Sequence, residues 1–166
     1  FSITENSKWI LEILVSEGIE YDSSIFPTNR RFGGFKNFSL SAPCIIDCNG
    51  SIIREFPIST AKLGAREIVY SGGGYFRLLP YCLIKSMARR SEYIMTYFHI
   101  KDFDKQQKRQ FASFHGESAL ANYFKSYYGI RNSFSKFKQF VSDFDFVSLE
   151  QAATVMDWTK VPLVHI

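Results

Sequence analysis

His99 is the residue of this sequence whose type and position best suit catalytic chemistry. It stands near the end of an apolar and aromatic segment, residues 93–100, and the carboxylates of Asp102 and Asp104 follow it. Such a composition predicts a buried strand, and barrel enzymes place catalytic groups where their strands end. A histidine exchanges protons near neutral pH, which suits general acid–base catalysis. The alternative is a structural histidine that is hydrogen-bonded at a strand end.

The cysteines and remaining histidines give little support for a metal site. Cys44 and Cys48 have a spacing that occurs in zinc sites, but a closed site needs four ligands. Cys82, His115 and His165 lie far from that pair in sequence. We therefore predict no metal ligands in this chain and interpret Cys44 and Cys48 as two thiols packed on a hairpin.

Two further segments could contact phosphate or nucleic acid, but neither matches a known pattern. Residues 71–74 resemble a glycine-rich phosphate loop, yet Arg77 occupies the position of its third glycine. A turn with positive φ is the alternative. Residues 30–36 mix basic and aromatic side chains, as proteins that bind single strands do, but their order differs from the RNA-recognition signature. A surface loop is favoured there, and we predict no nucleic-acid partner.

The elements that must position these residues alternate between helix and strand, which predicts an α/β fold. Asn49-Gly50 favours a tight turn and so a β-hairpin, and Ser148 with Gln151 forms a helix capping box. Helices are predicted at 3–17, 76–90, 119–128, 133–141 and 149–156, and strands at 19–25, 44–46, 52–54, 68–70, 93–100 and 144–147. A complete eight-fold barrel needs about 200 residues or more, so this chain could hold only part of one.

Composition narrows the class of protein further. The chain has 166 residues, 46% of them hydrophobic, which is enough for one packed structural unit. Its net charge of +4 is spread without a long basic block, and its three cysteines form no disulfide framework. No apolar run approaches the about 18 residues that span a bilayer. We expect a soluble, cytoplasmic chain, and because it begins at Phe1 we expect that a preceding part is missing.

Several strings together resemble a known enzyme family. They are Tyr21–Pro27, Glu55-Phe56-Pro57, the sequence G-G-G-Y-F-R-L-L-P-Y at 72–81, and Tyr97-Phe98-His99. They look like the later part of a polysaccharide deacetylase of the NodB-homology type, in the subgroup found with exopolysaccharide gene clusters. Residues 131–151 resemble the extra C-terminal region of that subgroup.

The resemblance implies a fold, a reaction and a division of the chain. Residues 1–104 would be the C-terminal part of a distorted (β/α) barrel with a β-hairpin insertion, and residues 105–166 would be an extension packed on it. The reaction would be metal-dependent removal of N- or O-acetyl groups from a polysaccharide or oligosaccharide. The family's metal-binding motifs would precede Phe1, so the divalent metal, expected to be zinc, belongs to the intact enzyme, and this chain alone would be inactive.

The resemblance also implies roles for particular residues. His99 would protonate the leaving group, and Asp22 would help to order the active site. Gly73 and Gly74 would form the edge of the site, where Tyr75 and Arg77 would contact the sugar. The family usually continues with Pro-Trp-Glu after the histidine, whereas this chain has Ile100-Lys101-Asp102, so part of the usual pocket wall is missing.

Two other function classes remain open on the sequence. A non-catalytic carbohydrate-binding or assembly module could use the same aromatic residues as a platform for saccharides. A nucleic-acid-binding role through residues 30–36 is the weaker alternative. The sequence does not predict the oligomeric state.

Overall fold

A computed structural model describes residues 2–28, 33–38, 40–106 and 119–166 of the chain. Contacts divide the chain into two compact units. Unit 1 comprises Phe1–Val69, Glu92–Met95 and Val147–Ile166, and unit 2 comprises Tyr70–Ser91 and Thr96–Phe146.

Unit 1 is built on a four-stranded sheet with the strand order β1-β3-β2-β6. Its strands are β1 (Tyr21–Asp22), β2 (Cys44–Cys48), β3 (Ser51–Glu55) and β6 (Leu163–His165). β2 and β3 pair antiparallel, while β1 pairs parallel to β3 and β6 pairs parallel to β2. Asn49 and Gly50 have φ of 54° and 86°, so the predicted tight turn and hairpin are confirmed.

One face of this sheet packs on helix α1 (Ile10–Ser16). Alternate residues of β2 and β3 are buried, and they form a core with residues of α1 and of the segments around it. The fully or almost fully buried members are Ile3, Leu11, Ile25, Phe35, Phe38, Cys44, Ile46, Cys48 and Ile53. This burial pattern is what an alternation of period two along a strand produces.

The start of unit 1 is less helical than the sequence predicted. Ile3 forms a bridge with Ile25 instead of joining a helix, and a 3₁₀ turn covers Glu5–Ser7 before α1. The capping contact runs from the Thr4 N–H to the Ser7 Oγ, at 2.9 Å. Because Ile3 satisfies its backbone against a neighbouring segment, the helix begins later than predicted.

A second, two-stranded sheet lies in unit 1, formed by β4 (Ala61–Leu63) and β5 (Arg66–Ile68). Gly64, with φ of 61°, lies in the turn between them. The sequence predicts a strand at 68–70, but the observed strand β5 ends at Ile68, which pairs with Ala61. A short hairpin replaces the isolated strand.

Unit 2 is mainly helical and contains α2 (Gly73–Leu78), α3 (Tyr81–Ala88), α4 (Ala119–Tyr127) and α5 (Ile130–Asp143). The single helix predicted at 76–90 is in fact α2 and α3. Leu79 is extended, with ψ of 145°, because a residue before proline avoids the helical region, and Pro80 lacks the N–H that a continuous helix needs. The last helix, α6 (Leu149–Val155), belongs to unit 1 and begins at the predicted Ser148 cap.

Two predicted strands, at 93–100 and 144–147, are wrong. The first segment is irregular apart from a bridge between Tyr97 and Gly72 and a 3₁₀ turn at Ile100–Asp102. Its Phe98 ring packs 4.9 Å from that of Phe76 and 5.2 Å from that of Phe137, by ring centroids. The aromatic residues of this segment thus pack against helices, and the segment forms no ladder of backbone hydrogen bonds with a neighbouring strand.

The α/β class is confirmed, with a mixed sheet and a hairpin. No sheet in the described ranges is closed or curled into a barrel, so the barrel part of the prediction does not describe this sheet. A sheet of four strands, two of them very short, has too few strands to curl and close.

The two compact units do not follow the predicted boundary at 104/105, which stays a prediction about the family's organisation. None of the described helices has the length and apolar character to cross a bilayer.

Candidate functional site

The close approach of Gly72 to Tyr97 sets the geometry of the candidate site in unit 2. The two residues form a parallel bridge, and the Tyr97 N–H donates to the Ser71 carbonyl at 3.4 Å. A Cβ atom on Gly72 would lie only 1.9 Å from the Tyr97 carbonyl oxygen. Only glycine therefore allows the segment that carries His99 to lie beside the start of α2.

The predicted edge residues Gly73 and Gly74 form the first turn of α2, next to this contact. Gly73 has φ of 56°, the left-handed region predicted for this glycine string. Tyr75, two residues after Gly73, is 43% exposed. The glycine turn thus presents an accessible aromatic ring on the same unit as His99.

Arg77 is not a surface residue, because its side chain is buried against Asp102. The Arg77 Nη1 donates to Asp102 Oδ1 at 2.6 Å, and both side chains are almost excluded from solvent. Asp102 Oδ2 accepts the backbone N–H of His99 at 2.9 Å. The two contacts make a chain from α2 to the His99 backbone, which fixes that backbone and leaves the imidazole ring to other partners.

The His99 side chain is exposed and contacts one neighbouring ring. Its Nε2 lies 2.6 Å from the Tyr97 hydroxyl, and the two ring planes meet at 75°. Either group can donate in this hydrogen bond, depending on which imidazole nitrogen carries hydrogen. An accessible imidazole held by a phenol can take up or release a proton toward a bound molecule.

Lys136 of α5 stabilises the end of α2. Its Nζ donates to the carbonyls of Phe76, Arg77 and Leu79 at 2.9, 3.0 and 2.7 Å. These carbonyls include ones that a helix end leaves without partners, and a cation there also suits the helix dipole. Burial lowers the pKa of Lys136.

Asp22, the second predicted catalytic residue, belongs to unit 1. Its Oδ1 accepts from the Ser24 hydroxyl at 2.7 Å and its Oδ2 from the Ser24 N–H at 3.2 Å. Asp22 is the Cα partner of Glu55 in the parallel pair of β1 and β3. Glu55 is fully buried, and its Oε1 accepts the Ile25 N–H at 3.1 Å.

Glu55 is a residue that the sequence reasoning did not single out as a site residue. Burial, and next the nearby Asp22, raise its pKa to about 9. The available signal was an acidic residue at an inward-facing position of a strand whose alternate residues are apolar.

Of the predicted site residues, those at 73, 74, 75, 77 and 99 share unit 2, and Asp22 is in unit 1.

The described residues do not fit a metal centre. They contain no group of three or more His, Cys, Asp or Glu side chains that could hold an ion. Cys44 and Cys48 are both buried on β2, and burial, with a smaller effect of Glu55, raises the pKa of Cys44 to about 12. A thiol that stays protonated is a poor zinc ligand.

Some predicted features lie wholly or partly outside the described residues. Residues 29–32, which include Arg30 and Arg31 of the 30–36 segment, lie outside the described residues, and so does His115. Within the described part of that segment, Phe35 is buried in the core of unit 1 and Lys36 is exposed. A buried Phe35 is not available as a ring on which a base could stack.

Comparison with known proteins gives one match. Residues 23–154 match a family described as a domain of unknown function, DUF3473. This domain is known to accompany polysaccharide deacetylase domains. No curated protein and no solved structure gives a significant match.

Proposed function

This chain belongs to the DUF3473 family, and from that premise we propose that it is the C-terminal portion of a metal-dependent polysaccharide deacetylase. The intact enzyme would hydrolyse acetyl groups of a polysaccharide or oligosaccharide. The family resemblance implies that the divalent metal, expected to be zinc, would be held by residues that precede this chain, and the described residues contain no group that fits it. The chain alone would therefore be inactive.

The observation that carries this proposal is the accessible imidazole of His99 beside the Tyr97 hydroxyl. Hydrolysis of an acetamide transfers water oxygen to the acetyl carbon, breaks the carbon–nitrogen bond and requires a proton on the departing nitrogen. His99 would give that proton as general acid. Tyr97 would hold the ring in one orientation.

The other residues of unit 2 divide into a contact role and a positioning role. Tyr75 is exposed and can offer its ring face to a sugar, as an amphipathic aromatic residue does. Arg77 is buried, so we assign it a positioning role through Asp102 and the His99 backbone. Direct contact of Arg77 with sugar, which the family resemblance implied, would require this ion pair to open.

Kinetics of the intact enzyme that contains this chain would test the proposal. His99→Ala should lower kcat on an acetylated oligosaccharide by about 10²- to 10⁴-fold with little change in KM, as expected for loss of a general acid. His165→Ala is the matched control, because His165 is an exposed histidine of unit 1 and should leave kcat unchanged. Near-normal turnover of His99→Ala would mean that His99 is structural.

A non-catalytic carbohydrate-binding module is the second candidate, and one feature of unit 2 favours it. A cavity of about 210 Å³ at the junction of α4 and α5 is lined by aromatic residues together with Arg131 and Asn132. The rings of Phe124 and Tyr128 are exposed and stacked, with centroids 6.1 Å apart. Exposed rings beside hydrogen-bonding side chains suit a sugar.

Titration of this chain with acetylated oligosaccharide, followed by NMR, separates the two candidates. If the chain is a carbohydrate-binding module, it should bind the oligosaccharide by itself. Tyr128→Ala should then abolish this binding, and Tyr75→Ala should leave it intact. If the chain is part of a deacetylase, catalysis by the intact enzyme should depend on His99, both with Tyr128 and in Tyr128→Ala.

A further inference from the structure

Three titratable residues lie side by side across three adjacent strands of unit 1. Asp22 of β1 is the Cα partner of Glu55 of β3, and Glu55 is also the Cα partner of Cys44 of β2. Residues paired across neighbouring strands project from the same face of a sheet. Glu55, in the middle of this row, and Cys44 are both fully buried, while Asp22 is half-buried.

The hydrogen bonds of this row leave one carboxyl oxygen without a partner. Glu55 Oε1 accepts from Ile25, but Glu55 Oε2 has no hydrogen-bond partner in the described part of the chain. Both oxygens of Asp22 accept hydrogen bonds from Ser24. Two negative charges at directly opposed positions of a sheet would repel each other, and an unpaired buried carboxylate is costly.

No cation relieves this arrangement, because no salt bridge among the described residues reaches Glu55. The nearest basic residue in sequence, Arg54, is occupied elsewhere. Its guanidinium lies over the rings of Tyr21 and Trp158 and 3.5 Å from Glu20. A proton is then the remaining way to neutralise Glu55.

We propose that Asp22 and Glu55 form an acid–carboxylate pair that holds a single proton at neutral pH, with the proton on Glu55, and that Glu55 thereby positions Asp22. The protonated Oε2 becomes a hydrogen-bond donor on the face that it shares with the Asp22 carboxylate. The positioning half of this inference rests on the proposed function and on the family resemblance, which implies that Asp22 helps to order the active site. The pairing half stands on unit 1 alone.

The other groups that face Glu55 are consistent with a protonated carboxyl. Burial and next Asp22 raise the pKa of Glu55, whereas the Ile25 N–H has a smaller, opposite effect. Glu55 in turn contributes to raising the pKa values of Cys44 and Tyr93, in both cases after burial. The Tyr93 hydroxyl is also buried and has no hydrogen-bond partner in the described ranges. The surroundings of Glu55 therefore consist of one carboxylate and neutral groups.

Carbon-13 NMR of the carboxyl groups in this chain tests the pair directly. One glutamate carboxyl should titrate with a midpoint near 9 instead of near 4.5, and that signal should be absent from Glu55→Gln. Asp22→Asn should lower the midpoint, because it removes the like charge. The wild-type titration needs no variant, so it shows whether any glutamate has a raised midpoint even if Glu55→Gln does not fold. Ordinary midpoints for every glutamate would overturn the proposal.

The positioning role is tested separately in the intact enzyme by its pH profile. Glutamine keeps an acceptor for the Ile25 N–H and a donor toward Asp22, so Glu55→Gln should retain kcat at pH 7. Above about pH 9 the wild-type kcat should fall about tenfold per pH unit as Glu55 ionises, and the variant should lack this fall. Identical alkaline profiles would overturn the positioning role. A wild-type enzyme without deacetylase activity would instead refute the proposed function, while NMR would still decide the pair.

Discussion

Arg77 Nη1 lies 2.6 Å from Asp102 Oδ1 in an ion pair whose two side chains are almost excluded from solvent. The same aspartate accepts the His99 N–H, so a residue of α2 fixes the backbone that carries the candidate proton donor. Removal of one member of such a pair leaves the other charge buried without compensation. The pair should therefore matter to both stability and catalysis.

Arg77→Met should lower the free energy of unfolding by about 3–5 kcal/mol, as loss of one member of a buried ion pair does. Arg131→Met, which removes an exposed arginine of the same unit, should change it by less than about 0.5 kcal/mol. Urea denaturation measures both variants. Equal effects of the two substitutions would show that the Arg77–Asp102 pair contributes nothing specific.

Gly72→Ala should be more damaging than Gly73→Ala. The Cβ on Gly72 meets a backbone carbonyl that cannot move aside, for which we expect a loss of about 3 kcal/mol. At Gly73 nothing lies within 4 Å, and the cost is that of a positive φ, about 1 kcal/mol. Thermal unfolding gives the order, and NMR should show the His99 ring signals shifted only in Gly72→Ala. A reversed order would contradict the role of this close approach.

The stability of unit 1 should fall as pH rises from about 4.5 to about 9. In that range folded Glu55 keeps a proton that unfolded Glu55 has lost, since its folded pKa is raised to about 9. The stabilisation is complete below the unfolded pKa and is lost as pH rises through the folded value. Denaturation at several pH values should give a slope of at most about 1.4 kcal/mol per pH unit, and Glu55→Gln should remove it. A wild-type curve as flat as that of the variant would refute this.

Lys136→Met should destabilise unit 2 by about 1–3 kcal/mol, because three carbonyls near the end of α2 lose their charged donor. Lys138→Met is the control on the same helix, since Lys138 is exposed and its Nζ lies over the Phe134 ring, 5.5 Å from the centroid. Hydrogen exchange of the α2 amides should rise in the first variant alone. The same exchange rates in both would place the stabilisation of α2 elsewhere.

Zinc titration of this chain by calorimetry should detect no stoichiometric site of submicromolar affinity. The described acidic, cysteine and histidine side chains form no group that could hold an ion, and zinc needs at least three protein ligands. A tight site that His99→Ala abolishes would mean that the metal centre includes this residue.

Features set by a few neighbouring residues were predictable from the sequence. The turn at Asn49-Gly50 and the cap formed by Ser148 and Gln151 both depend on local backbone and side-chain chemistry, and both are present. Pro80 favours a helix break, but the spacing of the apolar residues around it predicts one continuous helix, whereas the structure has α2 and α3. His99 was predicted at the end of a strand, whereas the backbone that precedes it is irregular.

Features set by distant partners were not predictable. Phe98 and the residues around it have strand composition, but helix rings and not neighbouring strands cover them. Lys136 is drawn inward by carbonyls of α2, and Arg77 by Asp102, neither of which periodicity reveals. The burial of Glu55 depends on the register of β1 with β3, which brings Asp22 opposite to it.

The strand order of unit 1 has a consequence for how the chain folds. β2 and β3 are joined by a tight turn and can pair early, but β6 reaches β2 only when Leu163 lies opposite Ile45. Closing so long a loop is slow, and β6 is synthesised well after β2 and β3. Residues 70–91 and 96–146 of unit 2 are synthesised before β6. During synthesis the edge of β2 therefore stays open until β6 has been made, and this is the stage at which the nascent chain most needs protection from pairing with other strands.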